Sequence, residues 1–182
     1  MSKTSASVTI GSGLRLSATI SPSDAKNKTL TWSSTNESVA TVDASGNITA
    51  RGVGTATITA KSANSKLATC KLTVNPIKIT KISLSPSTAT IRIANGEALG
   101  KMITLSENIT PSNATIKLLN WTSSNKKVAV VDQNGVVTSV GYGTAKITAT
   151  AKDGSRKTAT CSVTVSSVKV TGVKLNYAKQ SI

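Results

Sequence analysis

The sequence predicts an all-β chain, two sandwiches of two sheets each with seven or eight short strands, strung as an elongated array. Three observations carry this prediction. Residues 32–60 (WSSTNESVATVDASGNITARGVGTATITA) and residues 121–149 (WTSSNKKVAVVDQNGVVTSVGYGTAKITA) align without a gap at an offset of 89 residues. A period of that length exceeds a solenoid repeat and suits one small β-domain. Val, Ile, Leu and Ala must supply the core, because Phe is absent and there are only two Trp and two Tyr. Thr and Ser dominate what remains, and such a mixture packs well on a pleated, half-buried surface. Finally, alternating runs are broken by turn residues about every ten positions, and no window keeps a helical period.

The second copy is the fuller one. Ile82–Pro86 reads as an opening strand ended by proline, and Thr90–Ile93 alternates before the turn at Ala94-Asn95-Gly96. Met102–Ile109 reads as one strand, closed by Thr110-Pro111-Ser112-Asn113. Leu118–Thr122 carries Trp121 inward, and Val128–Val131 and Val136–Val140 flank the Asp132-Gln133-Asn134-Gly135 turn. Ala145–Ala151 and Thr158–Val165 form the last hairpin around Lys152-Asp153-Gly154-Ser155. Gly46 and Gly135 close Asp-x-x-Gly turns, where a positive φ suits glycine. The pairs Gly52/Gly54 and Gly141/Gly143 bracket a bend. A phosphate-binding reading of that G-x-G would require a helix next, and a strand follows.

The domain boundaries implied are 1–75, 79–166 and a tail of 167–182. The first unit begins near Val8-Thr9-Ile10 and lacks a counterpart of Ile82–Pro86. The tail residues Val170-Thr171-Gly172-Val173-Lys174-Leu175 match Ile79-Thr80-Lys81-Ile82-Ser83-Leu84 at an offset of 91, so they read as the opening strand of a third unit. The chain thus reads as cut from a longer array. An orphan opening strand is expected to pair with an exposed sheet edge, such as the one vacated in the first unit of a neighbouring chain.

The chain holds 22 basic and 7 acidic residues and no His, a net charge of +15. Residues 1–76 carry 8 basic and 3 acidic groups, residues 77–167 carry 11 and 4, and three lysines follow. Such a surface attracts polyanions such as wall teichoic acids, sulfated glycans or acidic lipids. A diffuse lysine coat that solvates the surface and blunts edge strands explains the same excess. With four Arg and almost no aromatics, specific nucleic-acid readout is not supported. No stretch reaches the ~20 apolar residues of a helical membrane span.

The pattern W-S-S-x-N-x-x-V-A-x-V-D-x-x-G-x-[IV]-T, then G-x-G-T-A-x-I-T-A and C-x-[LV]-T-V, resembles bacterial Ig-like domains of group 2. It runs through both units and into the tail. The resemblance implies compact Ig-like sandwiches, head to tail, in extracellular, cell-surface, cell-wall or virion-surface proteins. Such modules occur in adhesins of the intimin and invasin type, in cell-wall enzymes and in phage structural proteins. They serve as spacers and in some cases as the adhesive element.

Trp32 and Trp121 fall where Ig-like domains place a core Trp, and burial is preferred to sugar stacking. Cys70 and Cys161 share a face with apolar neighbours and are read as buried structural thiols, one per unit. Tyr142, between the glycines of its bend, is a candidate ligand contact, with ordinary packing preferred. Lys126, Lys127, Arg156 and Lys157 are the candidate anion or glycan contacts, on the second unit alone. The resemblance brings calcium to mind for Asp43 and Asp132. However, one acid per turn falls short of the six to eight oxygen ligands Ca²⁺ takes, so turn capping is preferred.

No cofactor or metal is expected. An enzyme is excluded on inventory, because there is no His and the acids fall in no plausible pair. The function expected is a non-catalytic structural or adhesion module spacing or presenting a binding function on a bacterial surface. Its partners would be polyanionic glycans of the wall or host surface, a host protein, and neighbouring repeats. The alternatives are an anion- or glycan-binding accessory segment of a cell-wall or carbohydrate-active enzyme, and a phage virion decoration domain.

Overall fold

The computed structural model describes residues 3–94, 97–169, 171–172 and 174, and resolves the chain into two compact units, Met1–Ile77 and Lys78–Ile182. The Asn95-Gly96 turn and most of the tail strand from Val170 lie outside the described residues.

Unit 1 has seven strands: β1 (Ser5–Thr9), β2 (Gly13–Arg15), β3 (Leu30–Ser34), β4 (Ala40–Val42), β5 (Asn47–Ala50), β6 (Gly54–Ser62) and β7 (Leu67–Asn75). One sheet runs β1-β7-β6-β3 and the other β2-β5-β4. All ladders are antiparallel except β1 with β7.

Unit 2 has nine among the described residues: β8 (Lys81–Ser85), β9 (Thr88–Ile93), β10 (Met102–Thr104), β11 (Ser106–Thr110), β12 (Leu119–Ser123), β13 (Ala129–Val131), β14 (Val136–Ser139), β15 (Gly143–Ala151) and β16 (Thr158–Ser167). Its sheets β9-β16-β15-β12 and β10-β14-β13 repeat those of unit 1, with β9 parallel to β16. The addition is the antiparallel pair β8-β11.

The period-2 alternation explains the layers. Along β15, Ala145, Ile147, Ala149 and Ala151 turn inward while Lys146 faces out. Cys161, Val163 and Val165 of β16 meet them from the neighbouring strand. Trp121 belongs to the same buried cluster, its indole lying against Gly135.

Three sequence expectations change. Met102–Ile109 is two strands: Leu105, 1% exposed, lies between them, β10 pairs with β14 and β11 with β8. The run switches sheets there, which a single alternating pattern does not announce. Nine strands in unit 2 exceed the seven or eight expected for the same reason. Trp32 is only partly buried, whereas Trp121 is 6% exposed. Trp32 packs against the rim of the unit 1 core, and among the described residues unit 1 has no strand that corresponds to β8.

Candidate functional site

The acids come first, because they decide what chemistry is available. Asp43 Oδ1 accepts the backbone N–H of Ser45 and of Asn47, both at 2.8 Å, and Oδ2 accepts the Asn47 side-chain amide at 2.7 Å. Asp132 repeats this with the N–H groups of Asn134 (2.8 Å) and Val136 (2.9 Å). The Asn47 side-chain bond, then its amide, holds the Asp43 carboxyl below its ordinary pKa, and the Val136 amide does most for Asp132. Both carboxylates are thus engaged as turn caps. Glu97 is paired with Lys101, which depresses its pKa. Among the described residues, no three His, Cys, Asp or Glu side chains gather as metal ligands would.

Asp153 was missed by reading the sequence. It sits in the β15–β16 turn, 9% exposed, and accepts the N–H of Ile79, 74 residues away, and that of Ser155 at 2.8 Å. Burial pushes its carboxyl up. Bonds from Ser155 and the Ile79 amide, with Lys78 nearby, outweigh that and hold it below the usual value. The clip pins the segment entering unit 2 to the turn of its last hairpin. The one signal for it was that unit 1 has Ala63-Asn64-Ser65 in that turn, without an acid.

The four proposed anion contacts do not form one cluster. In the β12–β15 ladder, Ser123 faces Ile147 and Leu119 faces Ala151. Lys126 and Lys127 follow the first of these ends, and Arg156 and Lys157 precede β16 at the second. The four ladder steps between span about 14 Å, beyond the ~8 Å screening length of physiological salt.

Lys126 and Lys127 adjoin the Gly141-Tyr142-Gly143 bend, because the Val128 carbonyl accepts from the N–H of Val140 (2.8 Å) and Gly141 (3.1 Å). Tyr142 there is 58% exposed, so the packing preferred from sequence is not what this ring does. The result is one aromatic beside two lysines at one end of unit 2, and two cations at the other.

Cys70 and Cys161 are fully buried, and burial raises both thiol pKa values. Neither is positioned to act as a nucleophile, since the thiolate is the reactive form.

The family described as bacterial Ig-like domain (group 2) matches residues 1–72 and 78–163. The chain belongs to this family. Its members are non-catalytic Ig-like modules. This bacterial Ig-like pair is similar to an Ig-like virion protein of Serratia phage KSP90, 34% identical over 171 residues, 91% of this chain and 64% of the relative. It is also similar to an uncharacterised protein of Clostridium acetobutylicum, 32% identical over 162 residues, 84% of this chain and 15% of that protein. The chain therefore spans less than two thirds of the length of each. Among solved structures, Drosophila N-cadherin EC1-3 superposes with a TM-score of 0.59 at 11% identity, covering 90% of this chain and 63% of that one. At that identity the likeness is one of fold. No helix among the described residues is long and apolar enough to cross a membrane.

Proposed function

We propose that this bacterial Ig-like pair is a structural module of an extracellular surface, spacing or presenting a binding function carried elsewhere. The supporting observation is how the chain passes through unit 2. It enters at the β15–β16 turn, where Ile79 is bound to Asp153, and leaves at the far end of β16, where Val165 faces Gly143. The ten residues of β16 put about 30 Å between entry and exit. Serial modules need that connectivity. Asp43, Asp132 and Asp153 are engaged in turns and Glu97 in an ion pair, and with 22 basic residues against 7 acidic ones the surface is strongly basic.

The similarity to a phage virion protein over 91% of the chain favours a virion as the surface. Intact cells or purified particles carrying the chain are treated with protease or an impermeant lysine label. The module is expected to be cleaved or labelled without lysis; labelling only after lysis overturns the proposal.

The cationic ends are the proposed contacts for polyanionic glycans. Lys126→Ala with Lys127→Ala, and Arg156→Ala with Lys157→Ala, are each expected to elute earlier from heparin or immobilised teichoic acid. The loss should be larger at low salt. Unchanged retention for both pairs removes polyanions from the list of partners.

A further inference from the structure

The outer face of the β10-β14-β13 sheet in unit 2 is apolar where the equivalent face of unit 1 is polar. Thr138 stands at its centre, with Met102 opposite on β10 and Val130 opposite on β13. Val136, paired with Thr104, and Val140 continue the β14 row on either side. Val137 and Ser139 point the other way and are buried, so the period of two puts Val136, Thr138 and Val140 on the solvent side. Met102 is 67% exposed, Val130 and Val140 are exposed with it, and Tyr142 follows in the bend just beyond.

Unit 1 builds the same three strands under a different surface. At the offset of 89 residues, Gly13, Thr41, Asn47 and Arg51 stand where unit 2 has Met102, Val130, Val136 and Val140, and Arg15 stands where it has Thr104. The ladders keep their register, with Gly13 opposite Thr49 and Thr49 opposite Thr41. Arg51 lies across this face, its Nε donating to the Thr41 hydroxyl at 3.3 Å. Unit 2 has therefore lost two guanidinium groups here and gained four apolar side chains. The core does not ask for the exchange, since the inward residues Ile48 and Val137 are buried alike. We propose that this face is where two copies of the chain meet, each laying the outer side of its β10-β14-β13 sheet on that of the other.

Charge selects a second copy as the occupant. A polyanion, an acidic protein or an anionic bilayer would gain from the two arginines that unit 2 lacks. A copy of this chain carries +15 and is repelled, least where both surfaces are uncharged. Met102, Thr104, Val130, Val136, Thr138 and Val140 include no ionisable group. A face that meets itself makes an isologous, two-fold contact that closes at the dimer, and antiparallel sheets pack face to face in this way ~10 Å apart. Size sets the strength. Three strands ~4.8 Å apart and the five residues Val136–Val140 cover about 14 by 16 Å, or about 230 Å². A stable complex buries ~800 Å² per partner. The dimer is therefore weak and reversible in solution, and it gains where copies are held side by side. That gain rests on the surface-module reading, whereas the contact itself does not.

Sedimentation equilibrium of the full chain, taken to on the order of 1 mM, is expected to show a reversible monomer–dimer equilibrium. Added salt should tighten it by screening the repulsion between copies, the reverse of its effect on polyanion binding. Thr104→Arg with Val140→Arg returns the unit 1 residues to the face and should raise Kd at least ~10-fold, because like charges then oppose each other. Thr122→Arg with Thr160→Arg adds the same charge to the other sheet of unit 2, away from the contact, and should leave Kd within about 2-fold. All four positions are exposed, and unchanged Trp121 emission verifies that the variants fold. Amide NMR shifts that move with concentration should gather on β10, β13 and β14 and spare β2, β4 and β5. A chain that stays monomeric at every concentration and salt overturns the proposal. So does association that salt weakens, that both arginine pairs weaken equally, or whose shifts lie off the β10-β14-β13 sheet. A monomer that binds phosphatidylglycerol vesicles through Met102 and Tyr142 puts a bilayer on this face and overturns it too. None of these readouts depends on where the protein is displayed, so a module labelled only after lysis would refute the surface reading and leave the dimer standing.

Discussion

Replacing Asp153 by Ala removes the acceptor that holds Ile79. The N–H of Ile79 is then buried, at a residue 1% exposed, without its partner. An orphaned buried donor costs about 1–3 kcal/mol, and the lost turn bond to Ser155 adds about 0.5–1 kcal/mol. A loss of about 2–3 kcal/mol follows, which for a domain of this size lowers Tm on the order of 10–20 °C. Asp153→Asn keeps a carbonyl acceptor and loses only the charge, so it should cost about half as much. The pH dependence has a definite sign. The folded-state pKa is depressed, so the contribution of Asp153 is fully present above its unfolded pKa of about 3.9. It fades as pH falls through the lower folded value. The gap between wild type and Asp153→Asn should therefore be constant from neutral pH to about 5 and close below about 4. Urea unfolding in a Trp32→Tyr background reads unit 2 through Trp121 alone. An unchanged midpoint for Asp153→Ala at pH 7, or a gap that widens on acidification, would refute the clip.

Gly135→Ala places an L-residue at φ +76, with its Cβ 2.8 Å from the Leu105 carbonyl oxygen and 3.0 Å from Cζ2 of Trp121. The backbone term of about 1–2 kcal/mol and the clash of about 1–3 kcal/mol should together destabilise unit 2 by about 2–4 kcal/mol in the same urea assay. Gly154→Ala, at φ +79 with nothing within 4 Å, should show the backbone term alone. Cys70 and Cys161 should resist an aromatic disulfide reagent in the native protein and react together with unfolding of their own units, since both are fully buried. Fast labelling of either in native buffer would mean that its unit opens locally.

What could be read from sequence was whatever the repeat wrote twice. The core strands, the Asp43 and Asp132 turn caps and the buried cysteines sit at equivalent positions in both copies, and an alternating pattern fixes which side faces in. Pairing between distant residues was less visible. In the Met102–Ile109 run Ile103, Leu105 and Ile109 share a phase that Glu107 interrupts, and only the choice of partner strands shows that the interruption is a sheet switch. Asp153 looked like one more turn residue, because its partner is the backbone of Ile79 and a backbone amide has no sequence signature. The cation group failed for a geometric reason: an antiparallel ladder sends the turn before β13 and the turn before β16 to opposite ends. Tyr142 was misjudged because a bend bracketed by glycines leaves a side chain nothing to pack against.

The two units share a fold and differ in what finishes it. In unit 2, β8 closes the flank beside Trp121, and Asp153 ties the incoming chain to the last hairpin. In unit 1 no strand among the described residues corresponds to β8, Trp32 is only partly buried, and the turn has no acid. Both differences concern the segment that precedes a unit, so in this fold the boundary between modules is where chain order is enforced.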